Sequence, residues 1–248
     1  MTSTSRRVAI ITGGSRGIGR QVAERLSAEG HAVVINYAGN QEAADAAVAE
    51  LVAGGASAIA VRADVADENA VMELFDAAES EFGGVDVVVH AAGVMPLGSL
   101  VDLDLADLDQ VLRTNIRGTF VVDQQAARRL RTGGAIVNFS SSVTRFANPG
   151  NISYAATKGA VESMTLVLAR ELRGRDITVN AVAPGAIETE MFAKFVEDGG
   201  EQVRDRVAAL APMERVGTPD DIAEVVTFLA GPARWINGQV IFVNGGAI

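Results

Sequence analysis

The stretch "VAIITGGSRGIGR", residues 8 to 20, carries a β-branched apolar run into a glycine-rich turn and straight on into a helical pattern. Gly13, Gly17 and Gly19 are spaced G-x-x-x-G-x-G. Glycines at such a turn permit a tight bend and let the backbone approach a pyrophosphate at a helix N-terminus. Many strand-to-helix turns use glycine with no ligand, so the cluster alone is weak. Its place directly after the first strand of a βαβ unit points to nucleotide binding.

The same alternation continues along the chain. "RVAIIT" (7–12), "AVVIN" (32–36), "AIAVRA" (58–63), "VDVVVHA" (85–91), "AIVNFS" (135–140), "ITVNAVA" (177–183) and "QVIFVN" (239–244) read as strands. Near-continuous apolarity is the pattern of parallel strands covered on both faces. Helical segments are expected over 17–30, 41–54, 67–82, 104–131, 153–174 and 219–230, with Asp67, Asp104, Ser153 and Thr218 as N-caps and Pro219 in the first turn. The expected fold is α/β, one doubly wound parallel sheet of about seven strands with helices on both faces, forming a single domain over 1–248. The irregular segment 184–216, opened by Pro184-Gly185 and broken by Gly199-Gly200, follows a strand's carboxyl end and is expected to cover a ligand crevice.

Composition narrows the function. The net charge of −10 argues against nucleic acid or an anionic membrane as the main partner. The sequence holds no cysteine and only two histidines, His31 and His90, without ligand-like spacing, so neither a thiol nor a metal site is expected. The apolar run after the N-terminal arginines is too short for a signal peptide or a span, and a cytoplasmic enzyme is the default expectation.

With Thr12 before it, the glycine turn resembles the T-G-x-x-x-G-x-G turn of the short-chain dehydrogenase/reductase family. Other segments resemble that family in order: "HAAG" (90–93), "RTNIRG" (113–118), "NFSSSV" (138–143), "YAATK" (154–158), "NAVAPGAIETEM" (180–191) and "INGQVIFVNGG" (236–246). The resemblance implies a Rossmann-like fold and a nicotinamide dinucleotide held by Gly13, Ser15, Arg16, Gly17, Ile18, Gly19, Asn36, Tyr37, Asp64, Val65, Ala91, Gly93, Pro184, Gly185, Ile187 and Thr189, together with Tyr154 and Lys158. In folds of this type a carboxylate ending the second strand holds the 2′-hydroxyl of NAD and repels a 2′-phosphate. Here that strand ends in Asn36, Tyr37 and Ala38, with no acid before Glu42 and no second basic group beside Arg16. NADP(H) is therefore favoured, with NAD as a second cofactor. Asp64 resembles the family's adenine-contacting aspartate and alternatively reads as a helix-proximal cap.

Tyr154 and Lys158 lie four residues apart, about 400° of helical rotation, and so share a face. Spacing alone fits packing as well as chemistry. A lysine ammonium stabilises a phenolate whose free pKa is about 10, and Ser141 is expected at a neighbouring strand's carboxyl end, where open α/β sheets place ligands. The resemblance implies Tyr154 as general acid or base, Ser141 as hydrogen-bond donor to the substrate oxygen, Lys158 on the nicotinamide ribose, and Asn115 completing a proton relay through water. Read without the resemblance, Asn115 is a helix-bending polar residue, and Ser140, Ser141 and Ser142 are strand-end caps. His90 replaces the family's asparagine and is read as structural; its protonation would lower stability or cofactor affinity as the pH falls toward 6.

Val94, Met95, Val143, Arg145, Phe146, Met191 and Phe192 are expected around the substrate, with Ser141 and Tyr154 at its reacting oxygen. Their apolar character suits a hydrophobic ketone or secondary alcohol, and Arg145 could meet an acidic group. The nearest subgroup in pattern is the 3-oxoacyl-[acyl-carrier-protein] reductases, whose acyl carrier protein would need basic docking residues; Arg128, Arg129, Arg131 and Arg175 are the candidates. A broader carbonyl reductase is the first reading and the carrier-protein enzyme the second, ahead of a sugar or polyol dehydrogenase and an NADP-binding regulatory protein. A homotetramer is implied by the resemblance, with 104–131, 153–174 and 235–248 as contacts.

Overall fold

The computed structural model describes residues 6–200 and 202–248. Residues 1–5, which open the segment judged too short for a signal peptide, lie outside them. Strands β1 (Val8–Thr12), β2 (Ala32–Tyr37), β3 (Ala58–Arg62), β4 (Val85–His90), β5 (Leu130–Phe139), β6 (Thr178–Pro184) and β7 (Val240–Val243) form one sheet in the order β3-β2-β1-β4-β5-β6-β7, every pairing parallel. Strand period places Ala9 and Ile11 on one face of β1 and Ile10 on the other. The first face packs α1 (Gly17–Ala28), α2 (Gln41–Ala53) and α10 (Pro219–Ala230); the second packs α3 (Glu68–Phe82), α5 (Gly118–Arg129) and α7 (Ile152–Glu171). Ile10 and Ile11 are wholly buried, and each such side chain contributes about 1.5–3 kcal/mol of apolar transfer.

The chain winds outward from β1 to the β3 edge, then returns to β4 on the other side of β1. This reversal opens a crevice above the carboxyl ends of β1 and β4. The turn after β1 lies against the segment after β4: a Cβ on Gly13 would stand 3.1 Å from the Ala92 backbone.

Three expectations change. The helix expected over 104–131 is α4 (Leu105–Val111), a π-helical stretch Leu112–Arg117, and α5, after which Leu130 already pairs with Val85 as the start of β5. A widened turn shifts the face by a fraction of a residue, which apolar periodicity does not reveal. The β4–β5 register then jumps at Val87↔Ala135, across the "TGG" of 132–134. Asp67, Asp104 and Thr218 cap α3, α4 and α10, but α7 begins after Asn151 with no side-chain cap, leaving Ser153 buried inside the helix. A short helix, α6 (Val143–Phe146), follows β5, and the covering segment folds into α8 (Glu190–Gly199) and α9 (Gln202–Ala208).

Candidate active site

The glycine turn supplies a cradle of backbone. Gly17 has φ of +54°, which a side-chain-bearing residue adopts at a cost, and a Cβ on Gly19 would meet the Gly13 carbonyl oxygen at 2.4 Å. Arg16 is the extended residue before α1 and makes no side-chain cap, so the first-turn N–H groups of α1 are not taken up by that side chain. A helix N-terminus of this kind favours an anion. Ile18, Ala91, Gly93, Pro184, Gly185, Ile187 and Thr189 line one continuous cavity of about 500 Å³ with Ser141, Tyr154 and Lys158. Gly93 keeps open the space beside the lysine, since a Cβ there would lie 3.3 Å from Asn115 Oδ1 and 3.7 Å from Lys158 Nζ. These residues fit a dinucleotide running from the glycine turn toward Tyr154.

The adenosine end departs from expectation. Asn36 is 1 % exposed and its Nδ2 donates to the Ala63 carbonyl at 2.9 Å, so its side chain ties β2 to β3 and does not face the crevice. Tyr37 is buried within the core. Asp64 accepts from Ala66 N at 2.9 Å and pairs with Arg113 at 2.6 Å, while the cap of α3 is Asp67; Val65 is buried next to Gly118. Arg16 meets Glu190 of α8 at 2.7 Å across the mouth of the crevice.

The reactive end is held from three elements. Asn115, on the π-helical stretch, accepts from Val94 N at 2.9 Å and donates to the Val94 carbonyl at 2.9 Å and to Thr157 Oγ1 at 3.2 Å. Its side chain thus pins the segment after β4 to α7. Ser140 and Ser142 are structural neighbours of Ser141. Ser140 donates to Glu162 at 2.8 Å, and Ser142 Oγ accepts from Asn244 Nδ2 at 3.1 Å. Glu162 also accepts from Thr144 at 2.9 Å, fixing the backbone on both sides of Ser141.

Lys158 Nζ donates to the Phe139 carbonyl at 2.7 Å and lies 5.4 Å from the Tyr154 ring centroid. Burial lowers its pKa to about 8. Burial pushes the Tyr154 phenol up to about 12, against the pull of the Ser141 hydroxyl. Desolvation thus outweighs any lowering of the phenol by the lysine, whose ammonium is aimed at a backbone carbonyl.

His90 is 3 % exposed, with Nδ1 at 2.8 Å from Thr12 Oγ1, which in turn accepts from Ala92 N at 3.1 Å. Burial, then the Lys158 charge, depresses its pKa to about 3. The ring stays neutral at pH 6, which corrects the expectation of a charge beside the cofactor at that pH.

Val143, Met95, Phe146, Met191 and Phe192 line the cavity, but Arg145 does not; its guanidinium sits 5.5 Å from the Phe242 ring centroid. Phe195, Leu210, Met213 and Asn244 also line the wall, beside polar residues such as Asn148, Asn151, Arg215 and Asp221, and carry no motif signal, although Phe192 and Phe195 stand one helical turn apart in "FAKF". The arginines expected to dock a carrier protein are misplaced for that task. Arg128, Arg129 and Arg131 lie at the amino end of β5 and Arg175 just before β6, at the edge of the sheet opposite the cavity. Arg129 pairs with Asp76 and Glu79, and Arg131 with Asp86.

A glycine-built turn at the sheet's switch point, beside a cavity that gathers the Ser141 hydroxyl with the buried Tyr154 phenol and Lys158 ammonium, defines a dinucleotide-dependent oxidoreductase. A family model described as enoyl-(acyl carrier protein) reductase matches residues 13–247. The chain belongs to the short-chain dehydrogenase/reductase family. It is 42 % identical to the versicolorin reductase of Emericella nidulans, over 97 % of this chain and 95 % of that one. It is 41 % identical to the 3-oxoacyl-[acyl-carrier-protein] reductase FabG of Staphylococcus epidermidis, over 96 % and 97 %. Among solved structures, a short-chain dehydrogenase from Burkholderia cenocepacia in complex with NADP superposes with a TM-score of 0.91 at 42 % identity, covering 98 % of each chain. A short-chain dehydrogenase/reductase from Serratia marcescens gives 0.91 at 39 %, covering 97 % of each. Among the described residues no helix is long and apolar enough to cross a membrane.

Proposed function

We propose that the protein is an NADPH-dependent carbonyl reductase acting on an apolar ketone, or on the matching secondary alcohol in reverse, within one domain spanning 1–248. The observation that carries this reading is the cavity of about 500 Å³ that runs from Ile18, within the glycine turn's helix start, to Ser141 and Tyr154 and has Met95, Phe146, Met191, Phe192 and Met213 among its walls. The nicotinamide supplies the hydride when bound. Tyr154, neutral at physiological pH, holds the proton that the substrate oxygen receives. Ser141 donates a hydrogen bond to the same oxygen as negative charge develops on it. Lys158 orients the nicotinamide ribose and, as a cation, favours proton release from the phenol once substrate and cofactor replace water in the cavity. Asn115 holds the wall behind Lys158 and anchors the relay that reloads the proton. Arg16 offers its guanidinium to a 2′-phosphate, and the NADP-bound relative supports that cofactor over NAD.

A second reading, a 3-oxoacyl-[acyl-carrier-protein] reductase, is favoured by the relatives of that name. The exposed Lys194 on α8 and Arg206 on α9, each next in sequence to a cavity-lining residue (Phe195 and Val207), would then meet the carrier protein. A homotetramer in the cytoplasm fits the exposed apolar residues Phe120, Val167 and Trp235, and light scattering of the purified protein checks the assembly. A panel of aliphatic and polycyclic ketones beside a 3-oxoacyl thioester, each with NADPH and with NADH, tests the function. NADPH oxidation with apolar ketones at a kcat/KM at least about tenfold above the thioester supports the first reading. The reverse ranking replaces it with the second, and no turnover of any carbonyl overturns both.

A further inference from the structure

The carboxyl end of β2 is where a dinucleotide's adenosine ribose is read, and in this chain β2 itself brings no side chain to the task. Asn36 is turned inward and Tyr37 is buried. β3, however, ends beside it. Tyr37 stands in register with Arg62, and Arg62 Nε donates to the Ala38 carbonyl at 3.1 Å. The guanidinium is thereby tied to the first residue after β2, and that bond leaves the N–H groups of its two terminal nitrogens uncommitted to it. On the other side of β2, Gly14 N donates to the Asn36 carbonyl at 3.1 Å, so the glycine turn carrying Arg16 flanks the same strand end.

The cations around this corner differ in what they already hold. Arg16 is paired with Glu190, Arg20 with Glu24 and Glu50, Arg113 with Asp64, and Arg117 with Glu68. Among the described residues no carboxylate pairs with Arg62. Of the carboxylates that follow it in sequence, Asp64 is paired with Arg113 and Glu68 with Arg117, while Asp67 caps the first turn of α3. Arg16 must leave Glu190 to meet a phosphate; Arg62 has no ion pair to break.

We propose that Arg62 is a specificity-determining residue, the second basic clamp on the 2′-phosphate of NADPH, supplied by β3 in place of a residue from β2. The inference rests on the NADPH reading above. A guanidinium presents parallel N–H donors that match phosphate oxygens, while the 2′-hydroxyl of NADH gives it no anion. Arg62 therefore separates the two cofactors by charge, without touching the nicotinamide or the substrate.

Calorimetric titration of the full chain tests this without any turnover. NADPH, NADH and the fragment 2′,5′-ADP are titrated into wild type, Arg62→Gln and Arg62→Lys, with thermal melts confirming that each variant is folded. Arg62→Gln is expected to weaken NADPH and 2′,5′-ADP about tenfold while leaving NADH within about twofold, with Arg62→Lys between. Raising salt should narrow the gap between wild type and Arg62→Gln for NADPH. If wild type prefers NADPH and Arg62→Gln keeps the same NADPH-to-NADH ratio, the assignment of Arg62 fails and the cofactor reading stands. If wild type itself binds NADH more tightly, both fail.

Discussion

The two ends of the crevice are built by opposite means. At the reactive end Tyr154 and Lys158 are at most 9 % exposed, locked by backbone carbonyls and by the Asn115–Thr157 contact. At the adenosine end the charges are arginines of the glycine turn, α1, the π-helical stretch and the end of β3, most of them in ion pairs that cost little to exchange. Buried groups set proton chemistry, because desolvation moves their pKa values by whole units. Exposed cations set selectivity, because they can trade one anion for another. Substitutions at the first end should therefore change rate, and those at the second should change which cofactor binds.

Removing the hydroxyl at Ser141 strikes the rate alone. Ser141→Ala should lower kcat for ketone reduction by about 10²–10³-fold, with the NADPH Kd from fluorescence titration unchanged. A comparable rise in Kd would mean that the two ends are not separable. The titration of Lys158 sharpens the contrast. Its pKa near 8 predicts a reduction rate that is level below pH 8 and falls about tenfold per unit above it, as the ammonium is lost. A stopped-flow pH profile from 6 to 10 checks this, and a rate still rising at pH 10 would remove the cation from the mechanism.

Stability separates two further buried groups by sign. His90 has a folded pKa near 3 against 6.5 unfolded, so its contribution is present above pH 6.5 and is lost as the pH falls toward 3. Asp123, raised by burial to about 7 from 3.8, contributes fully below 3.8 and loses that contribution as the pH rises to 7. The two slopes oppose each other in wild type. His90→Asn should remove the loss at low pH, and Asp123→Asn the loss toward neutrality, each by up to about 1.4 kcal/mol per pH unit. Denaturant midpoints at pH 5 and 7 for both variants show whether the signs hold. The smallest effect is expected at Glu190: Glu190→Gln should tighten NADPH a few-fold by releasing Arg16, about 0.2–1 kcal/mol for an exposed pair, and leave NADH unmoved.

Legibility in the sequence followed the same division. The strands and the glycine turn were readable because apolar runs and backbone-demanding glycines are local signals. Ser141, Tyr154 and Lys158 were readable as an ordered set, and the structure brings them to one cavity. What escaped depends on which way a side chain turns. Asn36 and Tyr37 end the right strand yet point inward, since β2 is an interior strand buried on both faces. Arg62 lies on a different strand, and the role proposed for it follows from the register Tyr37↔Arg62. Arg145 lies near Ser141 in sequence, but α6 turns it onto Phe242. The docking arginines were placed by charge alone; the strand direction puts them at the far edge. The π-helical stretch around Asn115 leaves no periodic trace, and the Tyr154 phenol's high pKa comes from burial that spacing does not report.

The claim that Tyr154 delivers the proton is tested most directly by Tyr154→Phe, assayed with a responsive ketone and NADPH and titrated with NADPH in parallel. Loss of ketone-dependent NADPH oxidation by about 10²–10⁴-fold, with cofactor affinity within about twofold of wild type, is the predicted result. Full ketone-dependent oxidation by the phenylalanine variant would contradict it.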